Sequence, residues 1–357
     1  MKKKNIALLY GGKSGEHEVS LRSGASIGLN LDLNKYDLTL IGINKQGFWF
    51  LQPPLDKDKV QQTKKLEVRE ENKLSIFPGE GIYLGEDKLP IDFVFPIVHG
   101  TFGEDGRLQG LLEMAGLPYA GAGVLGSAIG MDKDRVKAVW TEATLPVVPY
   151  LAFYQYQSAD SKAKAVKDWG FPLFIKPTCA GSSVGVSRAD TEKELDQAVA
   201  KAFQFDRKIM IEPCVNAREI ECSVLGNELP EVFVPGEIVP TGHSFYDYEA
   251  KYIDPDGATL LIPAPLTETQ TIEVKQLALK AYKTAQCRGF ARVDFFLDKE
   301  TETFQLNEIN TLPGFTEISM YSMLAKASGV EYSDLLNRII EAGIAVYNEE
   351  KNLIYSL

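Results

Sequence analysis

Apolar and polar positions alternate in blocks along the first third of the chain, a pattern typical of buried strands separated by helices. The segments NIALLY (5–10), DLTLIGIN (37–44) and IDFVFPIVHG (91–100) are short apolar runs that end in glycine or polar residues. Residues 19–31 have helical spacing and follow the first run after a glycine turn. Strand, glycine turn and helix predict an open α/β sheet over about the first 120 residues. Residues 52–90 are charged and proline-rich, which predicts hairpins and loops.

The middle of the chain predicts a second unit that begins near Gly123. Its predicted elements are a helix at 132–145, strands at 171–178, 184–189 and 208–215, and a helix from Thr191 to about Ala202. Glu194 lies three residues after Thr191, which predicts a capping box. A third, larger unit follows the last of these strands. We therefore divide the chain into residues 1–122, 123–212 and 213–357.

Two apolar segments near the C-terminus, FARVDFFLD and FQLNEIN, flank a five-residue turn and predict a β-hairpin. If the turn is centred on Thr301, Asp294 lies opposite Glu308 and Arg292 lies opposite Asn310. Because side chains alternate with a period of two along a strand, all four share one face of the hairpin.

Two opposed carboxylates on one face repel each other, so this arrangement predicts a cation between Asp294 and Glu308. Two carboxylates and the amide of Asn310 are oxygen ligands, which favour Mg²⁺ over zinc. Arg292 could then neutralise an oxyanion or a transferred phosphoryl group. The alternative is a solvated sheet face on which Arg292 bridges the acids.

Three glycine patterns are candidate phosphate sites. GGKS (11–14) is not a Walker A loop, because Ala7 stands where that motif requires glycine. GAGVLG (121–126) satisfies G-x-G-x-x-G but lacks a clear preceding strand, so tight packing at a helix entry is favoured. AGSSVG (180–185) joins two β segments and predicts a hairpin that covers phosphate, with a plain β-turn as the alternative.

Two lysines are candidate phosphate partners of that hairpin. Lys176 lies on the strand before it and could reach the same phosphates. Lys133 is a second candidate, although a solvated helix lysine is an equal alternative. A flat adenine could stack where residues 211–215 end their strand.

Loops after the predicted N-terminal strands carry further candidates. Glu16 follows the first strand and His99 follows the third, where open α/β sheets bind ligands, although either side chain could simply cap or pack. HGTFGEDG (99–106) has too much glycine and charge for a core segment. Residues 235–257 are aromatic and flanked by proline and glycine, which predicts a lid, with an ordered surface excursion as the alternative.

Composition narrows the class of protein. The 357 residues are 45% hydrophobic and 24% charged, as in an ordinary globular protein of two or three domains. The net charge of −11 disfavours a nucleic-acid or anionic-membrane surface. The four cysteines lack metal-ligand spacing, so we expect reduced thiols in a cytoplasmic protein. The N-terminal apolar run is too short for a signal peptide, and no run is long enough to span a membrane.

Several motifs, in this order, resemble the D-alanine–D-alanine ligases of the ATP-grasp superfamily. They are GGKSGEHEVS (11–20), HGTFGEDG (99–106), MDK (131–133), FIKP (174–177), GSSVG (181–185), NAREIECSVLG (216–226), FYDYEAKY (245–252), ARVDFF (291–296) and NEINTLPGFT (307–316). The resemblance implies a mixed α/β, three-domain ATP-grasp fold. It implies that ATP phosphorylates one D-alanine, whose acyl phosphate is attacked by the amine of a second to give D-alanyl-D-alanine for peptidoglycan. A homodimer is also expected.

The resemblance also assigns nucleotide and metal residues. The phosphates of ATP would be held by Lys133, Lys176 and Lys251, with Ser183 in the glycine loop. The adenine region would contact Glu212 and Val215, and the ribose would contact Glu219. Two Mg²⁺ ions, for which Mn²⁺ could substitute, would be bound by Asp294, Glu308 and Asn310.

Amino-acid substrates are assigned in the same way. Glu16 would take the ammonium of the first D-alanine, near His99. The oxyanion would be stabilised by Arg292 and the backbone N–H of Gly314, and Ser319 would bind the second carboxylate. The lid would be fastened by a hydrogen-bonded triad of Glu16, Ser182 and Tyr252, which excludes water from the acyl phosphate.

Two rival functions remain open. The same fold could use D-lactate or D-serine as the acceptor, although Tyr252 favours D-alanine and His243 does not match the histidine of D-lactate-using relatives. A nucleotide-binding regulatory protein without turnover would share the binding motifs, but Arg292 counts against it. Ala180 departs from relatives that carry a charged residue there, so no side-chain contact is assigned to it.

Overall fold

An open, largely parallel sheet forms the N-terminal part of the structure, a computed structural model that describes residues 3–181, 183–241 and 257–354. Its elements are β1 (Lys4–Gly11), α1 (His17–Asn30), β2 (Tyr36–Ile43), β3 (Trp49–Leu51), α2 (Lys57–Thr63), β4 (Leu74–Phe77), β5 (Gly81–Leu84), β6 (Asp87–Lys88), β7 (Phe93–Pro96) and α3 (Arg107–Met114). The strand order is β3-β2-β1-β7, with β2 and β7 parallel to β1. The hairpins predicted for residues 52–90 are confirmed by the antiparallel sheet β4-β5-β6.

A four-stranded antiparallel sheet occupies the middle of the chain. The elements are α4 (Gly123–Met131), α5 (Lys133–Glu142), β8 (Leu151–Tyr154), α6 (Ser158–Trp169), β9 (Leu173–Pro177), β10 (Ser187–Ala189), α7 (Glu192–Ala202) and β11 (Lys208–Pro213). The strand order is β10-β9-β11-β8. Thr191 caps α7, but the Glu194 carboxylate accepts from the backbone N–H of Asp190 rather than that of Thr191. The predicted strand at 184–189 is shorter, because residues 183–186 form turns.

The largest sheet is antiparallel and lies in the C-terminal part. Its region contains β12 (Ala217–Leu225), β13 (Glu231–Val232), β14 (Gly236–Pro240), β15 (Ala258–Leu261), α8 (Glu268–Thr284), β16 (Phe290–Asp298), β17 (Phe304–Asn310), α9 (Met320–Ala327) and α10 (Tyr332–Glu350). The order is β15-β14-β12-β16-β17, and β13 pairs with β12. The predicted lid is partly wrong, since residues 236–240 are a strand of this sheet. Its centre, 242–256, lies outside the described residues.

Apolar packing connects the N-terminal sheet to the C-terminal elements. One cluster of buried side chains includes Ile6 and Phe95 from the first sheet together with Phe290, Phe315 and Leu336. Burial of each such side chain contributes about 1.5–3 kcal/mol relative to exposure, so this contact is a major stabilising term. It also fixes the N-terminal loops relative to the segment after β17.

The GAGVLG segment packs against the turn before β16, as favoured above. A Cβ on Gly126 would lie 2.7 Å from the carbonyl oxygen of Gln286, and one on Gly123 would lie 2.7 Å from Nε of Arg288. These glycines therefore allow α4 to approach the backbone closely. Within the part of the chain that is described, all four cysteines are free thiols and no helix is long and apolar enough to cross a membrane.

Candidate active site

A cavity of about 650 Å³ brings many of the predicted residues together. Its lining includes residues from β9, β11, β12, β14, β16 and β17. Eight predicted site residues lie on its walls: Lys133, Lys176, Ser183, Glu212, Val215, Glu219, Asp294 and Glu308. The cavity is thus bounded by strands of the middle and the C-terminal antiparallel sheets, with acids and lysines facing the same space.

The hairpin β16–β17 has the predicted pairs at the site. Arg292 pairs with Asn310 and Asp294 pairs with Glu308, but a β-bulge follows and Phe295 pairs with Leu306. On the turn side of the bulge the pairing is shifted by one residue, so the turn is not centred on Thr301 as predicted. The extra residue Asn307 compensates for this shift, and the strands therefore have the predicted register at Asp294 and Glu308. Since a bulge redirects side chains, both Asn307 and Glu308 line the cavity.

Separate cations hold the two opposed acids. Arg292 donates to both oxygens of Asp294, through Nε and Nη2 at 2.7 Å each, and its Nε is also 2.9 Å from Glu221. Lys133 Nζ lies 3.4 Å from Glu308. Burial acts to lower the pKa of Arg292, but Asp294 and Glu221 hold that pKa well above its usual range. The alternative interpretation is not supported, since Arg292 bridges Asp294 to Glu221 and not to Glu308, and Asp294 is only 8% exposed.

Oxygen donors at this face suit a magnesium ion. The Asn310 amide donates to Asp294 Oδ2 at 2.8 Å, which leaves its amide oxygen as an acceptor. Each carboxylate oxygen has two lone pairs, so Asp294 can accept from Arg292 and still ligate a cation. Two carboxylates and an amide beside a lysine-lined cavity fit Mg²⁺ that keeps further ligands from water and phosphate.

Glu212 lies between two lysines. Its Oε2 is 2.6 Å from Lys176 Nζ and its Oε1 is 2.5 Å from Lys137 Nζ. Burial would raise the pKa of Glu212, but the two ammonium groups lower it to about 2. The side chain is therefore engaged with the lysines, and any adenine contact at this position would come from the backbone that continues to Val215.

The glycine loop is anchored through the two residues that precede it, and it contacts the N-terminal region. Asp206 Oδ2 accepts from the Cys179 backbone N–H at 2.7 Å and from the Thr178 hydroxyl at 2.9 Å. Lys133 Nζ donates to the carbonyl of Ala180 at 2.8 Å. A Cβ on Gly181 would lie 2.7 Å from a carboxylate oxygen of Glu16, so the loop and Glu16 are in close contact.

His99 connects the N-terminal loops to the segment after β17. Its Nδ1 is 2.8 Å from the Leu312 carbonyl, and its Nε2 is 2.9 Å from the Ser23 hydroxyl. Burial acts to lower the pKa of His99, but Glu104, 3.7 Å away, and Glu16 raise it overall. The contact places His99 beside Leu312, which lies two residues before Gly314 in the chain.

The segment 312–319 is held by its own hydroxyl groups. Ser319 Oγ accepts from the backbone N–H of Thr316 at 2.9 Å and lies 2.8 Å from the Thr316 hydroxyl. A Cβ on Gly314 would lie 3.4 Å from Ser319 Oγ, so these two predicted residues are neighbours. Three other predicted residues, Ser182, Lys251 and Tyr252, lie outside the described residues.

Four residues near the cavity were missed by the sequence analysis: Lys137, Asp206, Glu221 and Asn307. Lys137 is four residues after Lys133 on the same helix face, a spacing that could have indicated it. Glu221 is two residues after Glu219 on β12, so strand alternation could have indicated it as well. No local signal distinguishes Asp206 or the bulged Asn307.

Comparison with known proteins identifies one family over nearly the whole chain. Residues 5–122 match the family described as D-ala D-ala ligase N-terminus, and residues 139–341 match D-ala D-ala ligase C-terminus. A D-alanine–D-alanine ligase from Treponema denticola is 45% identical over 98% of each chain.

Solved structures of similar proteins agree with the fold. A D-alanine-D-alanine ligase from Coxiella burnetii has a TM-score of 0.85 at 36% identity, covering 98% of this chain and 97% of its own. A D-Ala:D-Ser ligase from Enterococcus faecalis has a TM-score of 0.86 at 32% identity, covering 96% of this chain and 100% of its own. These similarities and the two family matches show that the chain belongs to the D-alanine–D-alanine ligase family.

Proposed function

We propose that this chain joins two D-alanine molecules into D-alanyl-D-alanine, a peptidoglycan precursor, with ATP converted to ADP and phosphate. The observation that carries the proposal is the single cavity in which Lys133, Lys176, Asp294 and Glu308 converge, with Arg292 bonded to Asp294. Family membership and the names of the relatives support the same reaction. We also propose three domains at 1–122, 123–212 and 213–357, with the nucleotide between the second and third.

For the nucleotide, we assign Lys133, Lys176, Lys251 and Ser183 to the phosphates. The glycine loop supplies backbone N–H groups for the same purpose. The backbone from Glu212 to Val215 would contact adenine, and the carboxylate of Glu219 would contact a ribose hydroxyl. The common lining of one cavity by the described members of this set supports the assignment.

For the metal, we assign Asp294, Glu308 and Asn310 as ligands of two Mg²⁺ ions, with Mn²⁺ as a substitute. Such ions supply charge neutralisation for the triphosphate when bound. The chain's own contribution is to hold these oxygen donors on one face, through the register of β16 and β17 and the Asn310–Asp294 hydrogen bond.

For the amino acids, we assign Glu16 to the ammonium of the first D-alanine, with His99 beside it. The γ-phosphoryl group is transferred to the carboxylate of that D-alanine, and the amine of the second D-alanine then attacks the acyl carbon and displaces phosphate. Arg292 and the Gly314 N–H would stabilise the oxyanion, since preorganised donors cost no reorganisation during reaction. Ser319 would bind the second carboxylate, and Ser182 and Tyr252 would join Glu16 in closing the site.

A coupled assay of ADP release tests the proposal. D-alanine should support ADP release and yield the dipeptide, whereas L-alanine should not. D-alanine-independent ATP binding without turnover would support the regulatory alternative and overturn ligation.

The D-Ala:D-Ser ligase of similar fold makes D-serine the second candidate acceptor. The same assay with D-alanine plus D-serine or D-lactate distinguishes it, through the mass of the product. Preferential formation of a mixed product at neutral pH would overturn the choice of D-alanine as acceptor.

We further propose a homodimer in the cytoplasm. The neighbouring helices α3 and α4 expose large apolar side chains, Leu111, Met114, Val124 and Leu125, of which Met114 is 65% exposed. Such a surface is typical of a protein interface. The four free cysteines support a reducing compartment.

A further inference from the structure

Lys137 is a buried ammonium group for which the proposed reaction has no direct use. Its side chain is 1% exposed, and it lies behind Glu212 and Lys176, which are among the described residues that line the cavity. Besides its ion pair with Glu212, Nζ donates to the carbonyl of Val148 at 3.1 Å. Burying an ammonium group is costly, so its presence next to the cavity requires an explanation.

Charge balance around Glu212 provides that explanation. Lys137 and Lys176 each approach a different oxygen of the same carboxylate. The three groups together carry one net positive charge, and Lys176 is the member that also reaches Asn307 Oδ1 on β17, at 3.3 Å. Without Lys137, the carboxylate of Glu212 would neutralise Lys176, and the net charge of this pair on the cavity wall would be zero.

We propose that Lys137 is a positioning residue for nucleotide binding, which occupies one oxygen of Glu212 so that Lys176 keeps a positive charge for phosphate. The inference rests on the proposed function, in which Lys176 contacts the phosphates of ATP. Lys137 acts through Glu212 and Lys176 and does not touch the nucleotide. Its contribution therefore depends on the charge of the ligand.

The pKa shifts of Lys137 and Lys176 agree with these two roles. Burial lowers the pKa of Lys137, and the opposing effect of Glu212 does not restore it. Burial also acts on Lys176, but Glu212 and Glu308 raise the pKa of Lys176 above its usual range. The lysine on the cavity wall is thus the more firmly protonated of the two.

A series of nucleosides and nucleotides separates the charge role from simple packing. Calorimetry would give the Kd of adenosine, AMP, ADP and ATP for the full-length wild-type protein and Lys137→Met, at fixed Mg²⁺ and salt. Methionine has a similar length but no charge. We expect adenosine to bind equally to both proteins, and the deficit to grow with phosphate number to about tenfold or more for ATP, because one charge is lost beside the phosphates. Lys280→Met, on the exposed face of α8, is the control.

Two outcomes overturn the inference: an equal loss of affinity for all four ligands, which indicates a packing role, or ATP affinity equal to that of the wild type. Wild-type protein that fails to bind ATP would instead contradict the proposed function, so the two failures are distinguishable.

A double variant tests the mechanism even if Lys137→Met alone does not fold. Lys137→Met with Glu212→Gln restores one net positive charge, carried by Lys176, and replacing both members of a buried ion pair by neutral groups is often tolerated. We expect its ratio of ATP to adenosine affinity to return to within about threefold of the wild-type ratio, since the net charge is again the same. A folded double variant whose ratio stays as low as that of a binding-defective Lys137→Met would overturn the role of charge.

Discussion

At the scale of single residues, the side chain of Glu212 forms ion pairs with two lysines, whereas its backbone lies in the predicted adenine region. The resemblance assigned this position to the adenine region, and that assignment stays a prediction. The side chain itself is 1% exposed and lies between Lys137 and Lys176, so it organises charge. Similarity of motifs identifies Glu212 as part of the site, but it does not show whether the side chain or the backbone would contact the nucleotide.

The lowered pKa of Glu212 predicts how the free energy of unfolding depends on pH under acidic conditions. The pKa is about 2 in the folded protein against an ordinary value of 4.5, so its stabilising effect is complete above 4.5 and is lost as the pH falls towards 2. Glu212→Gln should reduce the proton uptake on unfolding in that window by up to about one proton. Urea unfolding at pH 5, 4 and 3 gives the unfolding free energy at each pH, and its slope with pH gives the proton uptake.

The same variant should also lower stability at neutral pH by about 3–5 kcal/mol, because two ammonium groups lose their common partner. Glu273→Gln on the exposed face of α8 serves as the control. An unchanged dependence of the unfolding free energy on pH in Glu212→Gln would contradict the ionic role of Glu212.

A second prediction at this scale concerns Glu308. Glu308→Gln should leave the fold intact and lower kcat strongly, by about 100-fold or more, because a neutral amide replaces a metal-binding carboxylate. The Mg²⁺ concentration that gives half-maximal rate should rise. Glu300→Gln, in the turn of the same hairpin, should behave as wild type. Near-normal turnover of Glu308→Gln at limiting Mg²⁺ would be evidence against the assigned role.

At the scale of elements, the hairpin β16–β17 shows why the register at the site was predictable although the turn was not. Strand ends and alternation placed Asp294 opposite Glu308, as observed. The bulge at Asn307 shifts the pairing on the turn side by one residue, so Leu297 pairs with Phe304. Alternation in the sequence does not reveal an extra residue of this kind, because it depends on which neighbours the strand packs against.

Helix α4 gives a prediction about close packing. Gly126→Ala should destabilise the protein by about 1–3 kcal/mol, because the new Cβ would meet the Gln286 carbonyl and force the backbones apart. Gly110→Ala in α3 is a matched control, since its Cβ would have a neighbour only at 4.0 Å, and should be neutral or stabilising by about 0.5–1 kcal/mol. Thermal unfolding measures both; equal effects would show that α4 does not depend on close approach.

The anchor of the glycine loop gives a further prediction. Asp206→Ala removes the acceptor shared by Cys179 and Thr178, so the KM for ATP should rise severalfold while the KM for D-alanine changes little. Asp206→Asn keeps an acceptor oxygen and should restore part of the affinity. Asp196→Ala, at an exposed ion pair with Lys162, is the control. A parallel rise of both KM values would indicate general destabilisation instead.

At the scale of the whole molecule, the apolar surface of α3 and α4 bears on assembly. Leu125→Asp should convert the proposed dimer to a monomer, because it places a charge within an apolar interface. Ile272→Asp, at an apolar position that is 52% exposed on α8, should leave the assembly unchanged. Sedimentation velocity gives the masses, and a wild-type monomer at micromolar concentration would contradict the dimer.

The sequence by itself determined several strands and the pairing of Asp294 with Glu308 in the hairpin β16–β17. Periodicity predicted β1, β2, β16 and β17 closely, since a buried strand must alternate or be continuously apolar. Motif order identified the family because many short segments agreed at once.

Only the tertiary structure decided which distant segments meet. The contact of Glu16 with Gly181, the His99–Leu312 hydrogen bond and the pairing of Lys137 with Glu212 join residues far apart in the chain. Such contacts depend on how sheets and helices pack, which no local pattern encodes. The charge on Lys176 is therefore a property of the packed molecule.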